Sequence, residues 1–278
     1  MPVWAERKFL FIGGLHRSGT TIFHDLVAEH PAAAGLTGTG VPMNEGQFLQ
    51  DVFAPEGRYR KLWPIRYMHR LGLRALAEKG YGGPGRFAFD SGANLKEDSP
   101  LTTAENAERI GESWAPYWSD PHAECLAEKS PPNLIRFRFL QALFPNSRFV
   151  LVMRHPIPVS LSTQRHWRRR TTMYSLFRHW VYAHELFLKD EPHLRHLLAV
   201  RYEDLMADPR RVLAEVFSFL SLPYFDTSAN RRFDPTVNDR YLKKWRRIGC
   251  TRAGRAYQRF LTRTFETSFS KFGYTIEL

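Results

Sequence analysis

The chain has 278 residues and a formal net charge of +12, enough length for one large α/β domain over residues 1–278 with a full core and no dividing linker. So basic a balance implies an anionic partner: a nucleotide, a sulfated or phosphorylated acceptor, nucleic acid or an acidic membrane surface. Cys125 and Cys250 are the only cysteines and lack metal-ligand spacing, which excludes a disulfide framework and a cysteine-rich zinc module.

The opening residues MPVWAERKFLF contain no long apolar leader, and no later stretch reaches the roughly 18 apolar residues of a membrane span, so a soluble, cytoplasmic protein without a transmembrane segment is expected. Phe9 to Ile12 form an apolar run too short for a helix, which suits a strand buried on both faces of a parallel sheet. Gly13 and Gly14 then turn the chain. From Thr20 the spacing of Ile22, Leu26 and Val27 predicts a helix that Pro31 stops. A strand, a glycine loop and a helix N-terminus together direct unpaired N–H groups and the positive dipole end at one spot, so the ligand expected is a phosphate. Gly14 and Gly19 have the spacing of a nucleotide-triphosphate loop, but Thr20 stands where its lysine is expected and the cation is Arg17, inside the loop. Ser18, Thr20 and Thr21 add hydroxyls for phosphate oxygens.

GLHRSGTT, residues 14–21, resembles the 5′-phosphosulfate-binding loop of sulfotransferases that use 3′-phosphoadenosine 5′-phosphosulfate (PAPS), closest to the branch with arginine in the loop, which includes tyrosylprotein and many bacterial enzymes. The resemblance implies a P-loop-like parallel sheet flanked by helices on both faces, PAPS as co-substrate and no metal. It also implies binding of the donor by Arg17, Ser18, Gly19, Thr20 and Thr21.

Residues 32–53 form a glycine-broken connection containing Glu45. In the arginine-loop enzymes a glutamate from this region deprotonates the acceptor, and Glu45 resembles it; as a helix-start residue it would instead serve the dipole. Residues 54–100 interleave aromatic and basic residues with a Gly/Pro loop, an insertion long enough to suggest a lid or acceptor-binding segment. Residues 104–118 read as a helix ending near Pro116. Lys129 follows at the end of a short strand, where it faces the crevice in which parallel sheets bind ligands, and Pro132 with Asn133 starts another helix. Lys129-Ser130-Pro131 resembles the Lys-Thr-His segment of cytosolic sulfotransferases with proline in place of the histidine base, which moves that role toward Glu45 and leaves His16 as its nearest alternative.

Phe149 to Met153 read as a second buried strand, ended by Arg154, with Pro156 in the first turn of the next helix and Ser162 in its second. Arg154 and Ser162 resemble the family's 3′-phosphate-binding pair. Arg165 and Arg168 extend the positive surface. A helix over 174–190 and a strand over 197–200 lead to Tyr202, which resembles the family's adenine contact. Asp208-Pro209 caps a helix with Val212, Val216, Phe219 and Leu220 on its apolar face. The C-terminal part mixes basic and aromatic residues around a last helix, 253–271, and Arg231, Arg232, Lys243 and Lys244 are candidates for closing over the 3′-phosphate.

The expected function is transfer of a sulfuryl group from PAPS to a hydroxyl or amine of a small-molecule, glycan or lipid acceptor, with Glu45, Arg17 and Lys129 catalytic. A P-loop kinase would need the missing lysine and magnesium carboxylates. A basic nucleic-acid-binding protein would leave the strand-loop-helix site without a purpose, so no nucleic acid is expected as partner.

Overall fold

The structure, a computed structural model, describes residues 4–56, 85–166 and 171–277. Most of the insertion expected at 54–100, and Arg168, lie outside the described residues. β1 (Lys8–Gly14) pairs in parallel with β3 (Cys125–Lys129) on one side and β4 (Arg148–Met153) on the other. β2 (Ala33–Gly35) lies outside β3 and β5 (Leu197–Arg201) outside β4, giving the order β2-β3-β1-β4-β5 with every pairing parallel.

The period of two along β1 decides how the sheet is covered. Phe9 and Phe11 enter one apolar cluster with Trp114, Phe137, Phe149 and Trp180, while Leu10 and Ile12 enter the other with Phe23, Val150 and Phe217. Both faces are therefore dry, as the unbroken apolar run requires. In chain order the helices are α1 (Thr20–Ala28), α2 (Ala104–Trp114), α3 (Phe137–Leu143), α4 (Pro156–His166) and α5 (Met173–Asp190). They continue with α6 (Tyr202–Ala207), α7 (Pro209–Phe219), α8 (Asp239–Ile248) and α9 (Arg252–Ser270). α1, α6 and α7 contribute to the second cluster; α2, α3, α4, α5, α8 and α9 contribute to the first.

Several boundaries depart from the sequence reading. The helix expected to end near Pro116 stops at Trp114, and Ala115–Tyr117, around that proline, tighten into a 3₁₀ turn. The helix expected from Pro132 is a 3₁₀ turn, Pro131–Ile135, separated from α3 by Arg136 at φ −131°. Arg136 is fully buried and donates from Nε to the Ala93 carbonyl at 3.0 Å, a contact that sets the break. On α7 the expected Val212 and Val216, with Leu220 just after it, are buried and are joined by Leu213 and Phe217, whereas Phe219 is only half-buried beneath the Arg148 guanidinium. α8 is a helix within a stretch read only as basic and aromatic; its Tyr241, Trp245 and Ile248 recur at helical spacing on the inward side.

Because every strand runs the same way, the ends at Gly14, Lys129, Met153 and Arg201 share one edge of the sheet. β1 lies between strands reached by opposite excursions of the chain, so a crevice opens at its C-terminal end. No helix among the described residues is long and apolar enough to cross a membrane.

Candidate functional site

The crevice begins where β1 runs out of side chains. A Cβ on Gly13 would lie 2.4 Å from the Leu134 backbone nitrogen, so this strand end accepts only glycine against the turn that follows β3. The loop then takes two left-handed residues, Arg17 at φ 71° and Gly19 at φ 102°. At Gly19 a Cβ would also fall 2.2 Å from the Tyr202 ring. No side chain caps α1, which leaves its first N–H groups without a side-chain acceptor at the positive end of the dipole. Ser18 is 1% exposed and its Oγ has no hydrogen-bond partner among the described residues. A buried hydroxyl left open at a helix N-terminus suits a bound anion. Thr20 is buried and Thr21 half-buried on the first turn.

Arg154, at the end of β4, is the second centre. It is buried and donates from Nε and Nη2 to Asn238 Oδ1 at 3.0 and 2.6 Å and from Nη1 to the Arg17 carbonyl at 2.9 Å, while its guanidinium lies 4.1 Å from the centre of the Tyr202 ring. Asn238, which precedes α8, donates in turn to Glu203 Oε1 at 2.7 Å. Glu203 also accepts from the His155 N–H at 3.0 Å and the Tyr274 hydroxyl at 3.1 Å. Arg17 returns the connection, its Nε donating to Ser162 Oγ at 3.0 Å. Neither Arg17 nor Arg154 forms an ion pair among the described residues. Burial lowers the pKa of Arg154 from its usual value, the sign for a cation drawn out of water, although Tyr202 and Glu203 oppose the shift.

Glu45 and Lys129 meet on the β3 side. Glu45 joins two 3₁₀ turns, Pro42–Asn44 and Gly46–Phe48, and is 5% exposed. Its Oε1 takes a hydrogen bond from Lys129 Nζ at 3.3 Å and its Oε2 one from Gln47 Nε2 at 2.7 Å. Lys129, equally buried, also donates to the Met43 carbonyl at 3.2 Å. The neighbouring carboxylate, Glu128, pins this loop by accepting from the Gly46 N–H at 2.9 Å and from Ser130 Oγ and Asn133 Nδ2, both at 2.6 Å. Burial pushes the Glu128 carboxyl up from its ordinary range against those three bonds.

His16, in the loop, is held on the side of the segment that follows Glu45. Its Nε2 pairs with the Glu56 carboxylate, whose other oxygen accepts the Gly85 N–H at 2.9 Å. Burial lowers the imidazole pKa, but the Glu56 charge and hydrogen bond and the Glu45 charge outweigh it, so the net shift is upward.

The structure thus gathers Arg17, Ser18, Gly19, Thr20, Arg154, Ser162 and Tyr202 at one end of the sheet and joins Glu45 to Lys129. Arg231 is elsewhere, paired with Glu29 just beyond the C-terminal end of α1. Arg165, Arg232, Lys243 and Lys244 are exposed. Sequence reasoning missed Asn238, Glu203, Gln47 and Glu56, which hold the residues it named. Glu203 had a signal in its place next to Tyr202; Asn238 had none.

Comparison with known proteins bears on the fold and the family. A family model described as "Sulfotransferase family" matches residues 10–226, a span that includes the loop, Glu45, Lys129, Arg154, Ser162 and Tyr202. The sulfotransferase domain of the Synechococcus PCC 7002 olefin synthase superposes with a TM-score of 0.50 at 19% identity, covering 84% of this chain and 80% of that one. A sulfotransferase from Alicyclobacillus acidocaldarius does so with a TM-score of 0.50 at 14% identity, covering 86% and 91%. No curated protein sequence matches the chain. At such identities the structural likeness concerns the fold, a parallel sheet between helices. The family match reaches further, since it runs from β1 past α7 and so takes in all five strands and the crevice at their ends; on that ground the chain belongs to the sulfotransferase family.

Proposed function

We propose that the chain transfers a sulfuryl group from PAPS to an acceptor hydroxyl or amine and releases adenosine 3′,5′-bisphosphate. The observation that carries this reading is the convergence of Arg17 and Arg154, two guanidiniums without a counter-ion among the described residues, on a helix N-terminus whose buried Ser18 hydroxyl lacks a partner. Such a site favours a ligand bearing two separated anionic groups. The loop and α1 would hold the 5′ end through Ser18, Gly19, Thr20 and Thr21, and Arg154 with Ser162 would hold the 3′-phosphate.

When bound, the donor supplies a sulfuryl group on a phosphate that leaves readily. The acceptor oxygen bonds to sulfur as the bond from sulfur to the bridging oxygen breaks, and the electron pair stays with the phosphate. Glu45 takes the acceptor proton. Lys129 and Gln47 each occupy one of its oxygens, which fixes the carboxylate in place, and a carboxylate retains lone pairs for a third partner. Arg17 uses Nε on Ser162, so its terminal amino groups are left for the sulfuryl oxygens and the bridging oxygen as charge develops there. Lys129 adds a second positive charge on the acceptor side. Tyr202, buried between Gly19 and Arg154, supports the 3′-phosphate residue and is assigned the contact with adenine. His16 is disfavoured as base, because pairing with Glu56 promotes the imidazolium, which cannot accept a proton.

The reading needs no metal, since the cations of the crevice are side chains. It assigns acceptor binding, of a small molecule, glycan or lipid, to the segment 54–100, of which residues 57–84 lie outside the described residues. A cytoplasmic location is supported by two free cysteines, one of them exposed. Calorimetry with adenosine 3′,5′-bisphosphate, ADP and ATP tests the donor assignment: the bisphosphate should bind much more tightly, and equal affinities would overturn the two-phosphate site.

A further inference from the structure

Residues 239–263 contain nine lysines and arginines against Asp239 alone, a net +8 of the chain's +12. The active-site reading uses little of this charge, since Arg246, Arg255, Arg259 and Arg263 line a separate cleft of about 610 Å³ between α8, α9 and the C-terminal residues Ile276 and Glu277. On α9 Arg255, Arg259 and Arg263 stand four residues apart, hence on one face with about 6 Å of rise between neighbours. Arg246 faces them from the last turn of α8. All four are exposed, and none forms an ion pair among the described residues. Like charges at this spacing repel and destabilise a helix. Nothing in the packing of α9 requires them: its buried residues are Leu261, Phe265 and Phe269, while Gln258 ties it to α8 through the Trp245 carbonyl at 2.6 Å.

We propose that this cleft binds a linear polyanion, a sulfated or carboxylated polysaccharide whose charges run along α9. Guanidiniums fit sulfate and carboxylate through two parallel hydrogen bonds. The large apolar residues of the cleft, Trp245 and Ile276, are buried, so it presents no aromatic platform for nucleic-acid bases and no apolar ridge for a lipid surface. Asn238, against Arg154, and Arg246, in the cleft, are eight positions apart on one helix, about 12 Å of rise. A polymer in the cleft therefore lies near the crevice. The choice of a sulfated polymer rests on the sulfotransferase reading, since an acceptor modified repeatedly carries the group its enzyme adds.

The test is calorimetry of the full chain with a sulfated dextran hexasaccharide, its neutral counterpart, an oligodeoxynucleotide of equal charge and phosphatidylserine vesicles. The sulfated sugar should bind best. The triple change Arg255→Gln, Arg259→Gln, Arg263→Gln should weaken that binding at least ~10-fold and flatten its dependence on log salt by about 2–3, the release expected for three lost anion contacts. Melting temperature and adenosine 3′,5′-bisphosphate affinity should stay at wild-type values. Unchanged sugar binding in the triple variant, or tighter binding of the oligonucleotide or the vesicles, overturns the proposal. If the bisphosphate fails to bind wild type while the sugar still binds through the three arginines, the cleft stands and the donor reading falls.

Discussion

Glu45 and Lys129 are each nearly inaccessible to water, so removing one charge strands the other in a low-dielectric setting. Two effects of Glu45→Gln follow. Turnover with a hydroxyl acceptor should drop by about 10²–10⁴-fold with bisphosphate affinity near wild type, and stability should fall by about 3–5 kcal/mol from the orphaned ammonium. Adding Lys129→Met to Glu45→Gln should recover most of the melting temperature and none of the turnover. Recovery of both would deny Glu45 its role as base. For His16 the sign runs the other way from a buried histidine without a partner. Its raised pKa means that the pair with Glu56 stabilises the fold fully below the ordinary value of 6.5, and that this contribution disappears as pH rises through the raised value. In Glu56→Gln the two largest upward influences on His16 are gone and burial is opposed only by the Glu45 charge, so an NMR titration should find the His16 pKa below its wild-type position; an unmoved value would sever the coupling.

α8 shows how the residue at a helix start can govern a site at the sheet edge. Asn238 at its start accepts two of the three bonds that orient the Arg154 guanidinium and passes the load to Glu203. Asn238→Ala should weaken bisphosphate binding by about 1 kcal/mol, less than the roughly 1.5–3 kcal/mol expected for Arg154→Ala, which removes the charge itself. Calorimetry on both variants gives the order, and a larger loss in Asn238→Ala would place that residue against the ligand. β1, α1 and β4 were legible because each shows one unbroken apolar period and ends at a glycine, proline or charged residue. α3 was misread because its apolar spacing continues through Arg136, whose burial beside Ala93 ends the helical path. The same tertiary contact is invisible to a periodicity.

If the folded chain alone binds the bisphosphate, ligand at about 100 times Kd adds roughly 2.7 kcal/mol to its stability. For a domain of this size that corresponds to a rise of several degrees in melting temperature. A thermal-shift measurement should show the rise with adenosine 3′,5′-bisphosphate, a much smaller one with ATP, and no loss of either in excess EDTA, because arginine and lysine side chains supply the positive charge. A rise that depends on magnesium would return the chain to ATP chemistry. Ionic strength should matter as well: Arg17 is exposed, so raising salt should erode bisphosphate affinity through screening at the mouth of the crevice.

What could be read along the chain is what lies close along the chain. The strand Lys8–Gly14, the loop with Arg17 and Ser18, and the start of α1 form one continuous piece, and Arg154 with Ser162 forms another; strand and helix periods place their residues with no knowledge of the rest. The bond from Arg17 to Ser162 spans 145 residues, that from Lys129 to Glu45 spans 84, and that from Arg154 to Asn238 also spans 84. These contacts exist because β1 is flanked by β3 and β4, which brings three strand ends and their loops to a single edge. Local spacing records which face a side chain takes. It does not record which distant backbone will lie opposite, and so the partners that hold Glu45, His16 and Arg154 emerge only when the sheet is assembled.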